Sequence, residues 1–325
     1  MHLNPTQDDS MTIETADATA PATKPADAAA LTATLGAIVA QAVEVRKAAT
    51  AESLLFNYVL NNGAPKDRHL QSMMKVMQTA VDLGYESWPA EIRNLSVRRD
   101  LLHIDCGSTL YGPVFRALGT TSYTGIDKQL TPTRKKFRSH LEKKNVDTGF
   151  SMVDVMRLIP GLSYMQTEEI VFREAFDLAL MQAVTHTTPS VQTLFSQIHR
   201  SLRPNGEIWF MHENFYSWSG HLTHPRTPSK YDPSDTGQAT MVDWGHIDFP
   251  APEGHRLGAF NRLTLTELRK ITNAYFEVSQ WIEIPERSSV KERLTPALRA
   301  KLSAYSDSDL TTKQIVCRAV KRELF

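Results

Sequence analysis

Leu101-Leu102-His103-Ile104-Asp105-Cys106-Gly107-Ser108-Thr109-Leu110-Tyr111-Gly112 is the stretch on which the reading of this chain turns. An apolar run ends on a carboxylate, Asp105, and Gly107 and Gly112 then open a turn. That is the pattern of a strand emptying into a ligand-binding loop, since in open α/β sheets ligands bind just outside the carboxyl ends of the strands. A glycine there lets the backbone approach a ligand that a Cβ would push away. The same pattern also occurs as plain packing, so the residues that follow must decide.

Outward from that turn, short apolar runs alternate with helical ones. Leu101–Cys106, Ser122–Ile126, Gly149–Val153, Phe176–Met181 and Glu207–His212 read as strands, and Val191–Leu202 as a helix ending at Arg203-Pro204-Asn205-Gly206. Tyr275–Ile284 and Gln314–Val320 alternate like two more strands, the first preceded by a helical Thr266–Asn273. Alternating elements predict an α/β protein with a largely parallel, doubly wound sheet. Three successive strands are read as closing on an aspartate: Asp105, Asp127 in Gly-Ile-Asp, and Asp154 in Val-Asp-Val. A carboxylate at Asp127 suits both hydroxyls of a ribose, and Asp154 suits the exocyclic amine of adenine with Val155 against the ring. Singly, each aspartate is as well explained as a helix cap. Three in a row point to an adenosine-like ligand.

Asp-Cys-Gly-Ser-Thr-Leu-Tyr-Gly, Gly-Ile-Asp, Val-Asp-Val, Phe-Asp-Leu-Ala-Leu-Met-Gln-Ala-Val-Thr-His and Leu-Phe-Ser-Gln-Ile-His-Arg-Ser-Leu-Arg-Pro-Asn-Gly-Glu-Ile resemble the ordered motifs of class I S-adenosylmethionine-dependent methyltransferases, over roughly Leu101 to Met211. The resemblance implies a seven-stranded Rossmann-like sheet with its last strand antiparallel, and S-adenosyl-L-methionine as cofactor. It implies that Asp105, Gly107 and Ser108, with Gly112 closing the turn, hold the methionine portion. Asp127, with Lys128 beside it, would bind the ribose, and Asp154 with Val155 the adenine. Met181 and Gln182 would lie beneath the cofactor near the reacting methyl. Two departures stand out: Thr109 and Tyr111 occupy positions where the family has glycines, which implies a wider or differently turned loop. A dinucleotide dehydrogenase, the nearest rival, wants three glycines directly after the first strand and finds one.

Lys plus Arg equals Asp plus Glu at 36 each in 325 residues, so no global field draws nucleic acid or an acidic membrane. Two cysteines make no disulfide framework, no run is long and apolar enough to span a bilayer, and the amino terminus lacks a signal-peptide pattern. The expected compartment is the cytoplasm. Residues 1–30, rich in Ala, Thr, Pro and Asp, read as a disordered tail. Residues 31–95 read as a helical cap or dimerisation subdomain, the latter giving a possible homodimer. Residues 96–325 read as the catalytic domain, with a long loop insertion at about 213–262.

Acceptor chemistry falls to that insertion and to the segment after the fourth strand. A hydroxyl acceptor needs a base, and the candidates are His221 and His246, then His186, although each taken singly suits a structural role. His212, Asn214, Tyr216, Trp218 and Trp244 are candidate acceptor contacts, the aromatics suiting a sugar ring or loop packing alike. The histidine and carboxylate spacings match no compact ligand motif, so no metal is expected. The sequence therefore predicts O-methylation of a small hydroxylated metabolite, sugar or natural-product intermediate. A catalytically inactive cofactor-binding scaffold that serves a partner protein is the alternative.

Overall fold

Thr50 starts the first helix, α1 (Ala51–Asn62): its hydroxyl accepts from the Ser53 amide, and the Ser53 hydroxyl accepts from the Thr50 amide. Gly63, at φ 85°, ends it. In α2 (Asp67–Asp82) the buried residues are Met73, Val76, Met77 and Ala80, the spacing of one helical face. The computed structural model describes residues 50–251 and 253–323. The expected tail over 1–30 and the first part of the expected cap, residues 31–49, lie outside the described residues.

Seven strands form one sheet: β1 (Asp100–Ile104), β2 (Ser122–Asp127), β5 (Leu162–Gln166), β6 (Phe176–Gln182), β7 (Leu202–Glu213), β8 (Phe276–Pro285) and β9 (Thr312–Lys321). A separate hairpin pairs β3 (Lys136–Arg138) with β4 (Asn145–Asp147). Between the strands run α3 (Tyr111–Ala117), α4 (Met152–Leu158), α5 (Val191–Ser201) and α6 (Leu265–Tyr275). The sheet order is β5-β2-β1-β6-β7-β9-β8, and β9 is antiparallel to both neighbours while the other pairs are parallel. This is the doubly wound, seven-stranded sheet that the sequence predicts. Chain order reverses across β1, which lies between β2 and β6, so the crevice outside the carboxyl end of β1 is the place for a ligand.

Neighbouring residues of β1 feed opposite cores. Leu101 belongs to the apolar cluster that holds Tyr58, Met73, Met77, Val114 and Phe115; Leu102 belongs to the one that holds Met181, Phe195, Ile198 and Leu268. Both faces of the sheet are thus covered, as a parallel sheet requires. Helices α1 and α2 share their core with α3 and β1, so this part of the expected cap is one layer of the sheet domain. A third cluster gathers Phe215, Tyr216, Trp218, Trp244 and Leu257 with Val290, Leu302 and Leu310. The segment after β7, expected as a loop, is therefore a small packed body completed by residues from beyond β8.

One strand assignment is corrected. Gly149–Val153 is not the third strand; residues 152–158 are helix α4 and the third position of the sheet is β5, Leu162–Gln166. The physical reason was legible in Ser151-x-x-Asp154. The Ser151 hydroxyl accepts from the Asp154 amide, and the Asp154 carboxylate accepts from the Ser151 amide at 2.9 Å, a capping box that starts a helix. No helix among the described residues is long and apolar enough to cross a membrane.

Candidate active site

Asp105 leaves β1 in the left-handed region, at φ 55°, and Ala183 leaves the adjacent β6 at φ 58°. Both bends are costly for residues with a Cβ, and strain of this kind clusters where a fold presents a site. Gly107, at φ 60°, continues the turn, and the space a Cβ would take there is open apart from the Thr109 methyl. Thr109 and Tyr111 replace flexibility with bonds. The Thr109 hydroxyl donates to the Cys106 carbonyl at 2.8 Å and closes the turn. Tyr111 is buried among Tyr85, Trp88 and His103, and its hydroxyl lies 2.9 Å from His140 Nε2 and 3.4 Å from Gln182 Oε1. The loop is differently turned, and an aromatic floor takes the place of glycines.

Asp127, buried at the end of β2, joins the two loops of the cleft. One carboxylate oxygen accepts from the Gly107 amide at 3.0 Å and the other from the Gln129 amide at 2.6 Å. Each oxygen keeps a lone pair for a further donor. Asp105 stands beside it, open to solvent. Desolvation against the cleft wall, and then the neighbouring Asp127 carboxylate, push the Asp105 carboxyl up to about 6. Two carboxylates held this close suit a cationic ligand, which would relieve their repulsion. The sulfonium and ammonium groups of S-adenosylmethionine meet that requirement, and the residues present fit it.

Other expected cofactor contacts are corrected. Asp154 is the third residue of α4, exposed, its carboxyl held below the usual range first by the Ser151 amide and then by the Ser151 hydroxyl. Val155 is fully buried in the core below it. Neither closes a strand. Gly112 lies inside α3, where an added Cβ would come within 2.5 Å of the Tyr164 hydroxyl, so its smallness serves packing. Met181 is core, whereas Gln182 is part-exposed at the end of β6. The residues that do stand beside Asp127 were missed by sequence reading. Gln166 pairs with it across the sheet, the Thr167 amide donates to its carbonyl, and Glu168 lies 3.9 Å from Lys128. Their signal was the alternation of Leu-Ser-Tyr-Met-Gln after the Pro160-Gly161 turn.

On the other side of β1, the ends of β6 and β7 carry the histidines. His212 lies on β7 with Nδ1 2.9 Å from the Thr185 hydroxyl and Nε2 unpartnered. Burial, and secondarily His186, lower it to about 3. His186 stacks near Phe260, with Nδ1 unpartnered, and burial lowers it to about 4 with a smaller push from Arg256. His221 is 0 % exposed, tied through Nδ1 to the Thr223 hydroxyl, and lowered to about 3, mainly by burial. His246 is corrected: both ring nitrogens face backbone carbonyls, those of Met241 at 3.1 Å and Phe215 at 2.8 Å, so neither is left for a substrate. Glu213 closes β7 and was not singled out as a base; burial raises its carboxyl, which also accepts from Gln314 at 2.9 Å.

The expected acceptor contacts of the insertion are its core. Trp218 is 0 % exposed and donates to Asp243 at 3.0 Å; Trp244 is 2 % exposed, at φ 63°. The Tyr216 hydroxyl donates to the Arg262 carbonyl and its ring lies 4.5 Å from that of Tyr305. Asn214 donates to the carbonyls of Asp309 and Thr312 and accepts from the Tyr216 amide. These side chains hold the insertion together, and none presents a face for stacking on a sugar. Among the described residues no group of three His, Cys, Asp or Glu side chains is placed to hold a metal ion.

Residues 102–210 match the family model described as "Methyltransferase domain". No curated protein sequence matches the chain. Among solved structures, an S-adenosylmethionine-dependent methyltransferase from Mesorhizobium loti is similar at 16 % identity and TM-score 0.42, covering 74 % of this chain and 99 % of its own. The N-methyltransferase NodS from Bradyrhizobium japonicum is similar at 13 % identity and TM-score 0.37, covering 79 % and 96 %. Likenesses this distant add nothing to what the family match and the sheet order carry.

Proposed function

Residues 102–210 match a methyltransferase-domain family model, and we propose that the chain is a class I S-adenosylmethionine-dependent methyltransferase that methylates a hydroxyl of a small acceptor. The acceptor would be held between the ends of β6 and β7. The bound cofactor supplies an electrophilic methyl group. The chain supplies alignment, which dominates an in-line displacement.

In this reading Asp127 holds the ribose hydroxyls while its backbone contacts fix Gly107 and Gln129. Asp105 faces the cationic end, and Gln166, Thr167 and Glu168 replace Asp154 beside the adenine. Gln182, tied to the Tyr111 hydroxyl, would lie toward the methyl group of the bound cofactor. For the acceptor proton we favour His186 Nδ1, which burial keeps neutral and which has no other partner. Glu213, with its raised carboxyl, stands at the next strand end and is the second group able to take a proton. We place the enzyme in the cytoplasm, in keeping with two free, buried cysteines, Cys106 and Cys317.

The observation that carries the proposal is the pair Asp105 and Asp127 around an open Gly107. Calorimetric titration of the full chain with S-adenosylmethionine and S-adenosylhomocysteine, with NADH as control, tests it. Micromolar binding of the first two alone supports it. No binding of either removes it.

A further inference from the structure

We propose that the acceptor bears an oxyanion, a carboxylate or a phosphate ester, held between Arg226 and Arg256; this deepens the methyl-transfer reading and rests on it. Leu222 turns its backbone into the left-handed region, at φ 52°. Its carbonyl then accepts from two guanidinium groups at once, Arg226 Nη2 at 2.9 Å and Arg256 Nη1 at 3.3 Å. Among the described residues neither arginine has a carboxylate within ion-pair distance, and both reach solvent. A carbonyl oxygen has two lone pairs, whereas two guanidinium groups offer ten N–H donors. One donor of each group is taken by the Leu222 oxygen, and among the described residues the others have no hydrogen-bond partner.

Two like charges brought together in this way repel. Burial first lowers the Arg226 guanidinium from its ordinary value; Glu213 then acts against that shift, Arg256 adds to it, and Glu286 opposes it. An oxyanion between the two forks would reverse that repulsion with bidentate, charge-assisted bonds. Glu213 and Glu286 offset part of that repulsion, but neither forms an ion pair with the arginines among the described residues, and each is bonded elsewhere. Glu286 is held by the Ser219 amide at 2.9 Å and the Ser219 hydroxyl at 2.5 Å, and Glu213 accepts from Gln314.

A second observation points the same way. Arg256 bears electrostatically on His186, and Arg226 on His221. Both histidines are more than nine-tenths buried, and each has a ring nitrogen without a partner, His186 Nδ1 and His221 Nε2. The arginine pair therefore adjoins the strand end where the acceptor hydroxyl is placed. An anion anchored there would leave the rest of a small acceptor to reach His186.

Calorimetric titration of the full chain with sodium phosphate, and separately with sodium benzoate, tests this. At least one anion should bind at millimolar concentration. Arg226→Gln and Arg256→Gln should each weaken it tenfold or more, while the lysine variants fall between. Arg173→Gln, an exposed arginine elsewhere, should bind like the parent. Phosphate binding alone would assign a phosphate ester, and benzoate binding alone a carboxylate. Binding of neither anion, or equal weakening by Arg173→Gln, would overturn the inference. S-adenosylmethionine titrated into the same samples separates the two readings: cofactor binding without anion binding rejects only the oxyanion, and loss of cofactor binding in the parent rejects methyl transfer.

Discussion

The two sides of the cleft are built on different physics. On the β1 and β2 side, the groups proposed to face the cofactor sit on or next to the backbone: Gly107, the Asp127 carboxylate bonded to two loop amides, and Asp105 at a strained strand end. On the β6 and β7 side, the insertion has a core of its own, and its buried polar side chains, Asn214 and His246 among them, hold that core together. The comparison teaches that a candidate cofactor site can be written in short motifs at successive strand ends, whereas an acceptor site assembled from distant segments cannot. Conspicuous aromatics and histidines in an irregular stretch are as well suited to building a small core as to touching a ligand.

The sharpest way to break the comparison is through Trp218. If it is core, Trp218→Ala should cost about 3–5 kcal/mol of stability in denaturant unfolding, with cofactor affinity retained wherever the chain is folded. A stable variant that loses only acceptor turnover would return Trp218 to the site. Next in size, Asp127→Ala should weaken S-adenosylmethionine by about 1–3 kcal/mol, through loss of charged hydrogen bonds. Unchanged calorimetric affinity in a folded variant would remove Asp127 from the cleft.

The raised Asp105 carboxyl gives a pH test with a definite sign. Its folded-state value, about 6, lies above the ordinary 3.8. The stability linked to it is therefore full below 3.8 and lost as pH rises through 6. Cofactor affinity should run the opposite way, falling as pH drops below 6, because a cation prefers the ionised pair. Asp105→Asn should flatten both profiles between pH 4 and 7, read by thermal melting and by titration. A parent affinity that does not change across that range would exclude Asp105 from the cationic end. Smallest of all, Asp154→Ala should cost at most about 1 kcal/mol as a lost helix-start contact, with cofactor affinity unchanged. A tenfold loss of affinity would restore Asp154 to the adenine.

Local pattern carried the sheet because the signals that make strands and helices are local. Apolar runs, Gly-Ile-Asp and Arg203-Pro204-Asn205-Gly206 set the alternation, and Asn205 does enter the left-handed region, at φ 61°. The third strand was misplaced because Met152 and Val153 make a short apolar run before an aspartate. The Ser151 to Asp154 spacing, a helix-start signal, outweighed that run. Tyr111 was legible as a departure from a glycine pattern, but its bonds to His140 and Gln182 join residues 29 and 71 positions away.

By itself the sequence determined the α/β class, the crevice at the end of β1 and the place of Asp105 and Asp127 at neighbouring strand ends, since each depends on neighbouring residues and on the period of a strand. Only the tertiary structure decided which histidine nitrogens stay free, that Trp218 and Trp244 face inward, and that Arg226 and Arg256 meet on one carbonyl. Those outcomes depend on which segments pack together. Burial and hydrogen-bond partners are properties of the assembled neighbourhood, and no residue carries them in its own name.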